Sequence, residues 1–140
     1  ALHWLRQQLA EQPHSFQAIQ PRFLRELHQA RHEELPDLRV LLEENFLQDE
    51  AGRWYVPDPN RAEDLEKLRL RALLREFEGY KAGKKKLRQF RTEAMRAGFA
   101  AAWRAREYAV IVEVAERLPE QVLQEDEELV MYYDNARNRV

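Results

Sequence analysis

The sequence predicts a mainly α protein: an N-terminal helical unit with one β-hairpin, a long connecting helix, and a C-terminal array of helical hairpins. Three observations predict it. Leucine and aromatic residues recur at three- and four-residue spacing along most of the 140 residues, as in Leu2, Leu5 and Leu9. The period changes to two in one place, "NFLQDEAGRWYVP" over 45–57. Prolines 13, 36, 59 and 119 stand where a helical pattern ends or starts.

The opening "LHWLRQQLAEQ" puts Leu2, Leu5 and Leu9 on one helical face with Trp4 beside them, and Pro13 ends it. Ser15 can cap a short helix through Ile19, and Pro21 suits the first turn of the next, which carries Phe23, Leu24 and Leu27. Pro36 opens "PDLRVLLEEN", with Leu38, Leu41, Leu42 and Phe46 turned inward. "NFLQ", "DEAG" and "RWYVP" then read as strand, turn and strand. Gly52 takes the left-handed position, and Trp54 and Val56 share one face. Helices followed by a hairpin have the order of a winged-helix unit, assigned to residues 1–58. Residues 59–140 form the second unit. Asn60, with Glu63 three positions on, is the expected cap of a long helix carrying Leu65, Leu68, Ala72, Leu73, Phe77 and Tyr80. The next helix is expected to start at Lys85, "KKLRQFRTEAMRAGFAAAWRARE". Its face Leu87, Phe90, Ala94, Gly98, Ala101, Ala105 becomes small toward the C-terminal end, where a neighbour can approach closely. "YAVIVEVAERLP" and "DEELVMYYDNARNRV" close the chain with the cadence of a tetratricopeptide-like helical hairpin.

Composition narrows the chemistry. A chain this long can bury roughly two-thirds of its unfolded surface without staples. It has no cysteine, which excludes disulfides and thiolate metal sites. No apolar run approaches the ~20 residues of a bilayer-spanning helix. The net charge of −2 conceals strong patterning. Residues 1–60 hold 6 basic and 10 acidic side chains, a net of −4; residues 61–106 hold 14 and 6, a net of +8; residues 107–140 hold 3 and 9, a net of −6. Any polyanion contact belongs to the middle block.

Candidate sites follow from that pattern. Lys81, Lys84, Lys85, Lys86, Arg88 and Arg91 lie within eleven residues with no carboxylate between them, and form the candidate nucleic-acid contact. The outward residues of "PDLRVLLEEN" include Asp37, Arg39, Glu43 and Glu44, and the wing tip is Asp49-Glu50. That balance repels phosphate, so the winged-helix unit is expected to pack on protein. His28 and His32 are four apart, but Gln29 stands where a His-Glu-x-x-His motif needs Glu, so they read as solvent-side histidines. Asp58-Pro59-Asn60 lacks the second proline and aromatic of an amino-methylating motif and reads as a helix start. Ser15, the one serine, is a cap and not a nucleophile. No catalytic, cofactor or metal residue is assigned.

Three blocks carry a family resemblance: "LLEENFLQDEAGRWYVPDPNRAEDLEKLR", "FRTEAMRAGFAAAWRAREYAVIVEVAERLPE" and "VLQEDEELVMYYDNA". Over about residues 1–137 the chain resembles the C-terminal region of large bacterial site-specific DNA methyltransferases of the N-4 cytosine/N-6 adenine class. The family's catalytic motifs have no counterpart here, so no catalytic residue carries over. The resemblance implies a non-enzymatic segment of a cytoplasmic bacterial protein whose other parts bind S-adenosylmethionine and DNA. It implies as partners the rest of that protein, DNA and a possible further subunit, and no membrane. A tetratricopeptide-like protein-interaction scaffold with no DNA role is the alternative, its surface being the helical tail with acidic Glu125–Glu128.

Overall fold

A computed structural model describes residues 1–28 and 36–140, which are mainly helical with one small antiparallel sheet. The element order is α1 (Leu2–Glu11), β1 (His14–Ser15), α2 (Phe16–His28), α3 (Leu38–Asn45), β2 (Leu47–Gln48), β3 (Arg53–Tyr55), α4 (Ala62–Ala82), α5 (Thr92–Arg104), α6 (Tyr108–Arg117), α7 (Glu120–Glu125) and α8 (Glu127–Arg137). Two compact units, Ala1–Leu68 and Arg69–Val140, meet within the sequence of α4. None of the described helices is long and apolar enough to cross a membrane.

In the first unit, leucines at i and i+4 of α1 (Leu5, Leu9) bury against Ile19, Phe23 and Leu27 of α2, Leu38 and Leu42 of α3, and Phe46 and Trp54. Ser15 Oγ accepts from the Ala18 N–H at 3.1 Å, as expected of a cap. The helix it starts does not stop at Ile19. It runs unbroken to His28 with Pro21 inside, because Ile19, Phe23 and Leu27 form one continuous buried stripe. Packing along that stripe offsets the one backbone hydrogen bond the proline removes, and Pro21 itself is exposed. Asp37, not Pro36, caps α3, accepting from the N–H groups of Arg39 and Val40.

The hairpin forms as read, with Leu47 opposite Tyr55 and Gln48 opposite Trp54. Gly52 has φ +83° and Trp54 is buried. A third strand was not anticipated. His14 and Ser15 pair with Trp54 and Arg53, giving sheet order β1-β3-β2. Two residues carry no readable alternation, so β1 is visible only through its partner strand.

In the second unit, the Phe77 ring from α4 meets Phe99 edge-on at 6.0 Å within a core built by Met95, Ile111, Val114, Leu118, Leu123 and Leu129. The inward stripe of α4 here is Leu73 and Phe77; Ala72 is exposed, and Leu65 is half exposed in the first unit. Asn60 does not cap α4. The Asp58 carboxylate takes the Asn60 N–H into a turn, so the first helical residue is Ala62. The helix expected from Lys85 starts seven residues later at Thr92. The tail divides into three helices: Pro119 ends α6 after Leu118, α7 follows, and Asp126 caps α8 by accepting from the Leu129 N–H.

Candidate nucleic-acid interface

Residues 83–91 form an irregular connector between α4 and α5. Gly83, with its low helix propensity, opposes a helix there. Tertiary hydrogen bonds then fix another conformation. Arg117, in the last turn of α6, donates Nη1 to Tyr80 O at 2.9 Å and Nε to Lys85 O at 2.8 Å, while its own carbonyl accepts from the Leu87 N–H at 2.8 Å. One arginine thus satisfies the orphan carbonyl end of α4 and staples the connector to α6. Gly83 makes room for it: a Cβ there would stand 2.8 Å from Arg117 Nη2. The far end of the connector is tied by the Tyr80 hydroxyl, which accepts from the Arg91 N–H at 3.1 Å.

The six candidate cations divide into two groups. Lys81 pairs with Glu78 at 3.0 Å, Arg91 pairs with Glu76 at 2.9 Å, and Lys86 Nζ donates to Glu116 O at 3.0 Å. Lys84, Lys85 and Arg88 are exposed and make no ion pair among the described residues. Lys84 borders a cleft of about 450 Å³ that also holds Glu113 and Glu116, which offsets its charge on that side. The connector therefore presents fewer uncommitted cations than the run of six implies, but on a backbone held at both ends.

In the first unit, the described residues of α3 and of the hairpin offer no comparable surface. The Arg39 guanidinium lies 4.1 Å from the centre of the Phe16 ring, leaving the exposed Glu43 and Glu44 to set the charge of α3. In the hairpin, Arg53 is engaged by Asp49 at 3.0 Å. The Arg53 N–H and guanidinium hold the Asp49 carboxyl below its ordinary range.

Sequence reasoning missed the node that joins the hairpin to α4. Asp64 is buried, 1% exposed, and its carboxylate accepts from the Tyr55 hydroxyl and the Asp58 N–H, both at 2.9 Å. The Asp58 N–H, then Tyr55, Arg61 and Lys67, hold its pKa below the usual carboxylate range against the opposing effect of burial. Lys67 Nζ in turn donates to the Tyr55 oxygen at 3.2 Å. An acid in the first turn of a helix looks solvated in sequence; only the position of Tyr55 reveals it. These groups are saturated by one another, so the node is structural and offers no group for chemistry.

The His28/His32 pair lies outside the described residues, His28 in its side chain and His32 entirely. Among the described residues no group of three or more metal-binding side chains converges. No family model, curated protein or solved structure matches the chain.

Proposed function

We propose that this chain is a non-catalytic C-terminal domain of a DNA methyltransferase of the N-4 cytosine/N-6 adenine class, and that it holds flanking DNA or a partner subunit for the catalytic part. The sequence resemblance supplies the context. The observation that carries the DNA contact is the connector: Lys84, Lys85 and Arg88 stand exposed and unpaired on a backbone stapled by Arg117. Cations on a fixed backbone lose less entropy on meeting phosphate than cations on a free loop. The first unit is read as winged-helix-like, on its order helix, strand, helix, helix, hairpin and its sheet order β1-β3-β2. With Arg39 stacked and Glu43 and Glu44 outward, its third helix suits a protein partner better than a DNA groove. The second unit is read as tetratricopeptide-like in its succession of short packed helices. S-adenosylmethionine and catalysis belong to other parts of the parent protein, in a bacterial cytoplasm.

The test is duplex-DNA binding by the 140-residue chain at low and moderate salt, beside Lys84→Glu/Lys85→Glu/Lys86→Glu. Each phosphate contact removed should lower the log–log salt slope by about 0.9. Absence of binding at low salt, or a slope indifferent to the triple change, overturns the connector assignment. The sequence preceding Ala1 in the parent protein tests the context separately: methyltransferase motifs are expected there.

One observation favours the scaffold alternative for part of the surface. Val40 is 46% exposed on α3, three and four residues before the exposed Glu43 and Glu44, a helix face suited to a basic amphipathic segment. Immobilised basic helical peptides should then be retained by the chain and released by Val40→Asp.

A further inference from the structure

The turn from α5 to α6 is built in an unexpected way. Helix α5 ends in a Schellman motif: the Glu107 N–H donates to Ala102 O at 2.8 Å and the Arg106 N–H to Trp103 O at 3.0 Å. The residue at the left-handed position of that motif is Arg106, with φ 60°, the one described non-glycine residue with positive φ. Glycine is the residue such a position favours, and an arginine there is strained. Nothing inside the fold compensates: Arg106 is exposed and takes part in no side-chain hydrogen bond or ion pair among the described residues.

A second, independent feature lies at the same turn. The Arg139 guanidinium, beyond the end of α8, lies 5.2 Å from the centre of the Trp103 ring and 5.3 Å from that of Tyr108, and Nη1 donates to the Tyr108 hydroxyl at 3.4 Å. Trp103 and Tyr108 are themselves packed edge-on at 4.9 Å, so the platform under the guanidinium is fixed. Stacking sets the orientation of Arg139 while leaving most of its five N–H donors unused. Arg104, the last residue of α5, follows Trp103 in the sequence and is exposed. Glu107 and Asp134, exposed in the flanking segments, form no ion pair with any of the three. Three other arginines of this unit are committed to carboxylates, Arg69 to Glu93, Arg91 to Glu76 and Arg96 to Asp126.

We infer that Arg104 and Arg106, in the turn between Trp103 and Tyr108, and Arg139, stacked on those two rings, form a second phosphodiester-binding patch, separate in sequence from the 83–91 connector. The planar N–H forks of arginine match phosphate oxygens, and a stacked guanidinium loses little freedom on binding one. That the phosphates are those of nucleic acid rests on the DNA-handling reading above. The residue choice at position 106 is the argument: a left-handed turn that glycine would stabilise instead carries a cation that the fold does not use.

The decisive variant is Arg106→Gly in the 140-residue chain, probed with a short DNA duplex at low salt. Relief of the left-handed arginine should raise the melting temperature by about 3 °C. Duplex affinity should fall about three- to tenfold, with the salt slope reduced by about 0.9. Arg106→Lys should keep most of the binding, and Arg104→Gln/Arg139→Gln should lower it further. A more stable Arg106→Gly protein that binds DNA as the parent does, with unchanged slope, overturns the patch. If only the Lys84–Lys86 changes weaken binding, the patch is wrong and the connector stands. If only the arginine changes do, the connector is wrong and the patch stands.

Discussion

Replacing Gly98 by alanine should destabilise this protein, against the usual sign of that change. In the middle of a helix, Gly→Ala normally stabilises by about 1 kcal/mol, because alanine has less backbone entropy to lose. Gly98 lies inside α5 and is buried. A Cβ there would overlap the Phe77 ring at three of its carbons. Phe77 has little room to retreat: it is 3% exposed and packs edge-on against Phe99, which is fully buried. Forcing extra volume into such a site costs about 1–3 kcal/mol, and displacing the ring outright approaches the 3–5 kcal/mol of a Phe→Ala truncation. Taking about 3 kcal/mol for the overlap, less about 1 kcal/mol of propensity, leaves a net loss of about 2 kcal/mol. With a urea slope of about 2 kcal/mol/M, the midpoint should fall by about 1 M. Gly79 is the matched control on α4, since no atom lies within 4 Å of its would-be Cβ. Gly79→Ala should raise stability by about 0.5–1 kcal/mol. The assay is urea unfolding followed by far-UV circular dichroism. A Gly98→Ala protein at least as stable as the parent would refute the close approach of α4 to α5 at this point.

Three further outcomes follow from named contacts. Asp64→Ala leaves the Tyr55 hydroxyl and the Asp58 N–H without their acceptor and should cost about 2 kcal/mol, with Tyr55→Phe costing less than half as much; calorimetry of both variants checks the ranking. Stability should also fall at acid pH. Burial raises the pKa of Asp126, but the Arg96 guanidinium at 2.8 Å and the Leu129 N–H outweigh it, and its carboxyl, like that of Asp64, lies below the ordinary value. A carboxylate depressed in the folded state stabilises above its unfolded pKa of about 4 and loses that contribution as pH falls through the folded value. Urea midpoints from pH 7 to pH 3 should therefore drop below about pH 4, and Asp64→Asn/Asp126→Asn should flatten the drop. Finally, Arg117→Ala removes both side-chain staples of the connector, so trypsin cleavage after Lys84 and Lys85 should accelerate about tenfold, without unfolding of α5.

Much of the fold was legible because it rests on local periodicity. Leu5 and Leu9, Phe23 and Leu27, Leu38 and Leu42 sit at helical spacing, and all are buried. The hairpin was legible because Gly52 and the alternation of Trp54 and Val56 are local signals too. What escaped depends on residues distant in sequence. β1 is two residues long and exists only by pairing with β3, about forty positions away. The connector follows from Arg117, more than thirty residues beyond Lys85, outcompeting a helical pattern that Leu87 and Phe90 do suggest. Pro21 shows the reverse: a strong local break signal was overridden by the buried stripe on either side of it.

The same distinction changes the meaning of the basic middle block. A sequence tally counts 14 cations over residues 61–106 as one field of +8. In the fold, Arg61 and Lys67 share Glu63, Arg69 takes Glu93, Lys81 takes Glu78, Arg91 takes Glu76, and Arg96 reaches Asp126 beyond the block. Exposed pairs of this kind contribute little to stability, but each cancels a charge that a polyanion would otherwise meet. Apart from Arg75 on α4, the exposed cations of the block without an ion pair fall at two points in the sequence, Lys84–Arg88 and Arg104–Arg106, and both are segments fixed by backbone hydrogen bonds. Screening over about 8–10 Å at physiological salt means that a phosphate responds to these local clusters and not to the block average. Neutralising the ion-paired Lys67, Arg69 and Lys81 of α4 should therefore change DNA affinity less, per charge removed, than neutralising either segment.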